Sequence, residues 1–126
     1  MAVAAHDILV LLLETLSGIW PAQNAIEDEP LGDCWRHPAV VGEGLTAGWM
    51  PFHKLSQWLT YSLLEPFEWA GVGVTGLDAL TGLPEYRNGG LLLDTGVIVP
   101  RRPAQLARVF KPADPFIVEW RALTVA

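Results

Sequence analysis

The sequence has little of what several common classes of protein depend on. Cys34 is the single cysteine among 126 residues, which excludes an internal disulfide and a zinc site built from cysteines alone. The apolar run from Ile8 to Leu13 is too short to cross a bilayer, and no basic segment precedes it as in a signal peptide. These absences predict a protein of the reducing cytoplasm.

Positive charge is scarce in the first two thirds of the chain. Residues 1–80 hold two basic and ten acidic residues, whereas residues 81–126 hold six basic and four acidic ones. The net charge of −6 argues against general binding to nucleic acid or to an anionic membrane. We therefore expect no nucleic-acid and no membrane partner, and we expect any anionic ligand to bind the second part.

Standard catalytic and cofactor signatures are also missing. The chain has no nucleophile elbow, no P-loop and no dinucleotide-binding fingerprint, so we expect no cofactor. Asp33 and His37 are four residues apart and could share a helical turn. No third ligand accompanies them, and a metal site is therefore not predicted.

Hydrophobic residues, by contrast, make up 51% of the chain, and six of them are tryptophans. This composition predicts a folded domain rather than a disordered acidic tail. The tryptophans imply a packed interior, a partner surface or a ligand surface. Ten prolines and twelve glycines predict that long uninterrupted helices are few.

Two segments have helical periodicity. Residues 5–19 carry an apolar face formed by Ile8, Leu11, Leu12 and Leu16. Residues 52–69 give the clearest helix, with a stripe formed by Phe52, Leu55, Leu59 and Leu63. Pro66 is expected to end this helix near Leu64, because the residue before a proline avoids helical geometry.

The other segments are rich in turns or ambiguous. Residues 21–51 are predicted to be irregular, and residues 70–90 to form turns around a short helix at 77–80. Residues 91–99 fit a strand or a helix, and the same holds for residues 116–126. Taken together, the segments predict a mainly α fold.

A first group of polar side chains lies on the second predicted helix. Lys54, Gln57 and Tyr61 follow one another at three- and four-residue steps, which places them on one face. An ammonium group binds phosphate, and amide and phenol groups form hydrogen bonds with a sugar or a base edge. The pattern indicates substrate-binding residues, and a solvated polar face is the alternative.

A second group occupies the segment after Pro84. The Glu85 carboxylate could act as a general base or stabilise positive charge on a sugar ring. Arg87 could hold a phosphate in a fork, with Tyr86 between the two, and the backbone N–H groups of residues 88–90 could face an anion. The alternative is a plain turn that carries a surface Glu–Arg pair.

A third group flanks Trp120 in an apolar segment near the end of the sequence. Glu119 and Arg121 are charged, and ions in such a setting need partners. Structural and functional roles are both open for this pair.

Long segments of the chain resemble the protein family of the uracil-catabolism (URC) pathway, which contains a domain long described as of unknown function. The resemblance is carried by PFHKLSQWLTYSLLEPFEWAG (51–71) and LTGLPEYRNGGLLLDTGV (80–97), and by residues 19–35 and 118–125. Members of that family are much longer. The resemblance therefore implies that residues 1–126 are a single partial domain, internal or near the C-terminus, that contacts other parts of its parent chain.

A fainter likeness links the chain to the queuosine-nucleotide N-glycosidases. Those enzymes have F-x-K-x-x-Q on a helix, then D-Y-R, then E-x-R, and the positions here are Phe52, Lys54, Gln57, Glu85, Tyr86, Arg87, Glu119 and Arg121. The likeness implies a helical domain similar to part of a DNA glycosylase. It also implies that Glu85 takes the place of the aspartate that is implicated in N-glycosidic bond cleavage.

These resemblances predict hydrolysis of the N-ribosidic bond in a uracil-derived nucleotide, including a ring-opened one. Glu85 is the predicted catalytic residue. The predicted partner is a small nucleotide or a ribose phosphate, bound by Lys54, Gln57, Tyr61, Tyr86, Arg87, Glu119 and Arg121. The alternatives are a scaffold of the pathway that binds a nucleotide or a partner without catalysis, and an inactive fragment.

Overall fold

Helix α1 (Ala5–Leu16) forms where the apolar spacing predicts it. Ala5, Ile8 and Leu9 are buried, so the packed face includes Ile8 of the predicted face, whereas Leu11 is 59% exposed. The structure is a computed structural model and describes all residues from 1 to 126.

The elements alternate between helices and very short strands. The other α-helices are α2 (Lys54–Trp69), α3 (Tyr86–Asp94) and α4 (Pro115–Leu123). Short 3-10 helices span Ser17–Ile19, Gly44–Thr46, Leu77–Ala79 and Pro103–Ala107. The strands are β1 (Ala2–Ala4), β2 (Ala25–Ile26), β3 (Glu29–Pro30), β4 (Cys34–Arg36), β5 (Trp49–Pro51) and β6 (Gly73–Thr75).

These strands pair only in twos: β1 with β6, β2 with β3, and β4 with β5. Helices hold about half of the residues, and strands β2 to β6 lie in segments that were predicted to be irregular or turn-rich. The prediction of a mainly α fold is thus confirmed for its four helices, while the fold as a whole is mixed. None of the helices is both long and apolar enough to traverse a lipid bilayer.

The chain divides into two compact units. Unit 1 consists of residues 1–34 and 51–83, and unit 2 consists of residues 35–50 and 84–126. The single partial domain expected from the sequence stays a prediction.

Unit 1 is built on a parallel strand pair and two helices. Strand β1 pairs with β6 so that Val3 lies opposite Val74, and α1 packs against α2. The core contains Ala5, Leu9 and Leu80, and the half-buried side chains that pack on it are Leu13, Tyr61 and Val74. Burial of these apolar groups is the main stabilising contribution in the unit.

Helix α2 differs from its predicted length, because it continues through Pro66 to Trp69 instead of ending near Leu64. A proline inside a helix removes the hydrogen bond to the carbonyl four residues earlier, here that of Ser62. Three more residues follow in helical form, and the turn closes as Ala70 N–H donates to Pro66 O at 3.1 Å. The expected helix end at this proline is therefore wrong.

In the long segment after α1, side-chain hydrogen bonds add to the short strands β2 to β5. The Asn24 amide donates to the carbonyls of Gly32 at 3.1 Å and Cys34 at 2.8 Å. Gly32 has a φ of 58° and lies under the Trp20 ring, which a Cβ there would approach to 2.9 Å. Gly32 thus allows the left-handed backbone and the close approach of the Trp20 ring.

Unit 2 contains the two segments whose sequence pattern was ambiguous. Residues 86–94 form α3 and residues 115–123 form α4, so the second segment is mostly helical, whereas only residues 91–94 of the first are helical. The Asn-Gly-Gly segment 88–90 is therefore helical and not a turn, and Gly89 N–H donates to Glu85 O at 3.2 Å. The turn expected at residues 88–90 is therefore wrong, and helix formation uses the Gly89 N–H that was considered for an anion.

Candidate functional site

The predicted site residues fall into two sets, one in each unit. Unit 1 carries Lys54, Gln57 and Tyr61, all on α2. Unit 2 carries the remaining predicted residues, Glu85, Tyr86, Arg87, Glu119 and Arg121.

Two members of the α2 set bind a loop of the protein itself. Gln57 is only 4% exposed, and its amide nitrogen donates to Phe52 O at 3.2 Å and Thr81 Oγ1 at 2.6 Å. Its amide oxygen accepts from Thr81 N–H at 2.7 Å, and the Tyr61 hydroxyl donates to Thr81 O at 2.9 Å. Both amide hydrogens of Gln57 are therefore used, which gives this residue a positioning role at Thr81. Its predicted contact with substrate stays a prediction.

The first turn of α2 is fixed by Asp33. The Asp33 carboxylate accepts from Lys54 N–H at 3.1 Å, and its backbone carbonyl accepts from Phe52 and His53. Carboxylates stabilise helix N-termini because the first N–H groups have no partner within the helix. This capping sets the position of Lys54 at the start of α2.

In unit 2, Glu85 is the residue that begins α3. Its carboxylate accepts from Arg87 N–H at 3.3 Å, and its own N–H donates to Thr124 Oγ1 at 3.1 Å. The first contact is an N-cap, and the second ties the segment before α3 to the end of α4. Glu85 is half-buried, so its backbone is fixed while its carboxylate lies at the surface of the unit.

Arg121 joins Glu85 and Tyr86 in this cluster. It is 3% exposed, its Nη2 donates to Pro84 O at 3.5 Å, and its guanidinium lies 5.1 Å from the centre of the Tyr86 ring. The structure therefore brings three predicted site residues together: Glu85, Tyr86 and Arg121.

Arg87 and Glu119 take different positions from that cluster. Arg87 is exposed in the first turn of α3, and Glu119 is exposed on α4. Two residues along a helix are about 200° apart, so Glu119 and Arg121 face different ways. The predicted E-x-R pair thus contributes one buried and one exposed charge.

Glu119 lines a large cleft that the sequence analysis did not identify. The cleft lies within unit 2 and has a volume of about 670 Å³. Its walls include Arg101, Arg102, Gln105, Phe116, Glu119 and Trp120. The sequence signal was the adjacent arginine pair in the more basic part of the chain.

A second, much smaller cavity lies in unit 1 beside the start of α2. It measures about 100 Å³, and Trp20, Asp33, His53 and Ser56 line it. His53 has a φ of 45°, which is uncommon for a residue other than glycine. Burial lowers the pKa of His53 below its usual value, while the Asp33 charge acts in the opposite direction.

No set of three or more His, Cys, Asp and Glu side chains is arranged to hold a metal ion. Asp33 and His37 do not share a helical turn, because the extended strand β4 lies between them in the chain. His37 Nδ1 accepts from Ala39 N–H at 3.1 Å.

Comparison with known proteins supplies the family context. A family described as "Protein of unknown function (DUF1688)" matches residues 1–126. Protein urg3 of Schizosaccharomyces pombe is 47% identical over 108 residues, which cover 85% of this chain and 26% of that protein. Uracil catabolism protein 4 of Lachancea kluyveri is 39% identical over 142 aligned positions, which cover 95% of this chain and 32% of that protein.

The chain spans about a quarter to a third of the length of the curated relatives it matches. No solved structure matches it. The resemblance to the uracil-catabolism family, stated from the sequence, is confirmed by these relatives.

Proposed function

Since the chain belongs to the DUF1688 protein family, in which one relative is named a uracil catabolism protein, we propose that it acts in uracil breakdown. The proposed reaction is hydrolysis of the N-ribosidic bond in a uracil-derived nucleotide. We propose also that its helices belong to a domain similar to part of a DNA glycosylase, as the likeness to queuosine-nucleotide N-glycosidases implies.

The observation that carries the proposal is the cluster of Glu85, Tyr86 and Arg121 in unit 2. Glu85 and Arg121 come from sequence motifs more than thirty residues apart, and Arg121 donates to the carbonyl of Pro84, the residue before Glu85. The Glu85 N–H in turn donates to Thr124 at the end of α4. A carboxylate, an aromatic ring and a guanidinium together suit a sugar that gains positive charge and a phosphate that carries negative charge. The α3–α4 framework holds the three residues in place before any ligand binds, which favours catalysis.

In the proposed step, the Glu85 carboxylate takes a proton from water, and the water oxygen attacks C1′ of the ribose. The bond between C1′ and the nitrogen breaks, and the nitrogen takes up a proton. The products are ribose 5-phosphate and the free base or its ring-opened derivative. The carboxylate also stabilises the positive charge that develops on the ring during bond cleavage.

The test is release of ribose 5-phosphate from uridine 5′-monophosphate and from its ring-opened derivative. It uses this chain and a chimera in which the chain replaces the matching part of the Schizosaccharomyces pombe relative. Glu85→Gln should lower turnover by about a hundredfold or more, the usual effect of losing a general base. The glutamine oxygen can still accept from Arg87 N–H, so the helix cap is retained.

Glu14→Gln is the matched control, because Glu14 is exposed on α1 in unit 1 and makes the same change of charge. Turnover of the Glu14 variant should equal that of the parent. Equal turnover of the Glu85 variant would remove the catalytic role of Glu85. Ligand binding without any product would instead support a scaffold that binds nucleotide.

A further inference from the structure

The cleft in unit 2 has a cationic edge. Arg101 and Arg102 both line it, and neither guanidinium forms an ion pair within the chain. Gln105 follows in the short 3-10 helix Pro103–Ala107 and lines the same cleft. Two adjacent arginines without carboxylate partners are suited to an anion with several oxygens, such as a phosphate ester.

Helix α4 contributes aromatic side chains to the lining of the same cleft. Phe116 and Trp120 lie edge to face, with ring centres 5.9 Å apart and planes at 88°. Phe110, which is not a lining residue, stacks on Phe116 with ring centres 4.9 Å apart. The aromatic side chains of the lining are therefore held in place before a ligand binds, and a planar ring can pack against them.

Size limits the ligand further. The cleft volume of about 670 Å³ lies within the range of roughly 300–1,000 Å³ that small-molecule sites occupy. A free phosphate would leave most of this space empty, and a bare ring would leave the arginines without a partner. A phosphate ester that carries a ring, of the size of a nucleoside monophosphate, uses both parts.

We infer that this cleft binds a ring-bearing phosphate ester, with its phosphate on Arg101 and Arg102 and its ring against Phe116 and Trp120. Glu119 and Gln105 also line the cleft, and their side chains can accept or donate hydrogen bonds at sugar hydroxyls or ring N–H groups. The inference goes beyond the proposed reaction, because Glu85 does not line the cleft and binding requires no bond cleavage.

Calorimetric titration of the chain with uridine 5′-monophosphate tests the inference. One molecule should bind, and ribose 5-phosphate and uridine should each bind about tenfold more weakly or worse, because each lacks one half of the ligand. The variant Arg101→Ala/Arg102→Ala should weaken binding of the nucleotide by about tenfold or more. The matched variant Arg108→Ala/Lys111→Ala removes the same charge from residues outside the lining, and it should bind as the parent does.

The possible outcomes separate this inference from the proposed reaction. Equal affinity of the parent and the Arg101/Arg102 variant, or no binding of the nucleotide by a folded chain, would overturn the cleft assignment even where turnover is observed. Nucleotide binding that depends on Arg101 and Arg102 but not on Glu85→Gln supports the cleft, whether or not product forms. A circular dichroism spectrum for each variant shows that it is folded.

Discussion

The indole ring of Trp120 occupies the space where any residue but glycine at position 89 would place its Cβ. An ideal Cβ on Gly89 would lie 1.3 Å from Trp120 Nε1 and 1.9 Å from Cδ1. Atoms that are not bonded do not approach so closely, so α4 can seat this ring on α3 only because residue 89 is glycine. The contact also explains why Trp120 Nε1 is buried without a hydrogen-bond partner.

Gly89→Ala should therefore destabilise the protein, although alanine is the better helix former. The ring has to move away from α3, and such overpacking costs about 1–3 kcal/mol or more of the free energy of unfolding. Urea unfolding followed by circular dichroism measures this loss as a lower midpoint at unchanged slope. Because Trp120 lines the cleft, its displacement should also weaken nucleotide binding.

Gly90→Ala is the matched control for that substitution. Gly90 lies in the same helix, and a Cβ there meets nothing within 4 Å. Replacing this glycine should stabilise the protein by about 0.5–1 kcal/mol, since alanine restricts the unfolded chain and favours the helix. If both variants changed the free energy of unfolding in the same direction, the contact between the Trp120 ring and Gly89 would be excluded as the cause of that change.

Gln57→Leu should cost stability because of the groups it leaves behind. The backbone N–H and the hydroxyl of Thr81 both lose their bond to the Gln57 amide, and a donor left without a partner costs about 1–3 kcal/mol. Tyr61→Phe removes a single hydroxyl contact to Thr81 O and should cost less, about 0.5–1.5 kcal/mol. Denaturant unfolding of the two variants should rank them in this order. A Gln57→Leu variant as stable as the parent would show that these hydrogen bonds do not stabilise the fold, and ligand binding would then be the role of Gln57.

The sequence predicted the parts of the fold that depend on periodicity. Helix α1 follows from its apolar stripe, because burial of one face is a local property of the pattern. Helix α2 forms where its stripe predicts a helix, but it buries Ser56, Gln57 and Thr60, while Leu55 of the stripe is 51% exposed. The sequence did not predict that α2 passes Pro66 or that the Asn-Gly-Gly segment is helical. Tertiary contacts decide such cases, and Gly89 illustrates this, since the partner that requires it lies thirty-one residues later in α4.

The candidate site was predictable to a similar extent. Motif order led to Glu85, Tyr86 and Arg121, which the structure brings together in one unit. The internal bonds of Gln57 and the cleft beside Arg101 were not predictable, because both depend on which loops meet in space. A polar residue on a helix face looks the same in sequence whether it faces solvent, a ligand or a loop such as that around Thr81.

Cys34 should react slowly with thiol reagents in the folded protein. It is 5% exposed, and burial, helped by the nearby Asp33 charge, raises the pKa of its thiol to about 11. Only the thiolate reacts, so at about pH 8 roughly one thiol in a thousand would be in the reactive form. Labelling with a disulfide reagent should be slowed by about a hundredfold or more relative to the chain in guanidinium chloride. Equal rates in both conditions would show that the segment around Cys34 is open.

The buried imidazole of His53 should make stability depend on pH. Burial lowers the pKa of His53 in the folded state, whereas the unfolded chain keeps the ordinary value near 6.5. Between these two values the unfolded state binds a proton that the folded state does not, so the free energy of unfolding falls as the pH is lowered. The stabilising effect of the neutral ring is thus complete above about pH 7 and is lost from about pH 6.5 downward, with a slope of at most about 1.4 kcal/mol per pH unit.

His53→Asn isolates this contribution, since asparagine tolerates the left-handed backbone at a φ of 45° and does not titrate. Urea unfolding at several pH values between about 7 and 5 should show a weaker loss of stability for this variant than for the parent. His6→Asn, on the exposed side of α1, should keep the dependence of the parent. Parallel pH profiles for the parent and the His53 variant would contradict this prediction. They would mean that the imidazole binds its proton in the folded protein without loss of stability, and that the cavity beside Asp33 accommodates the charge.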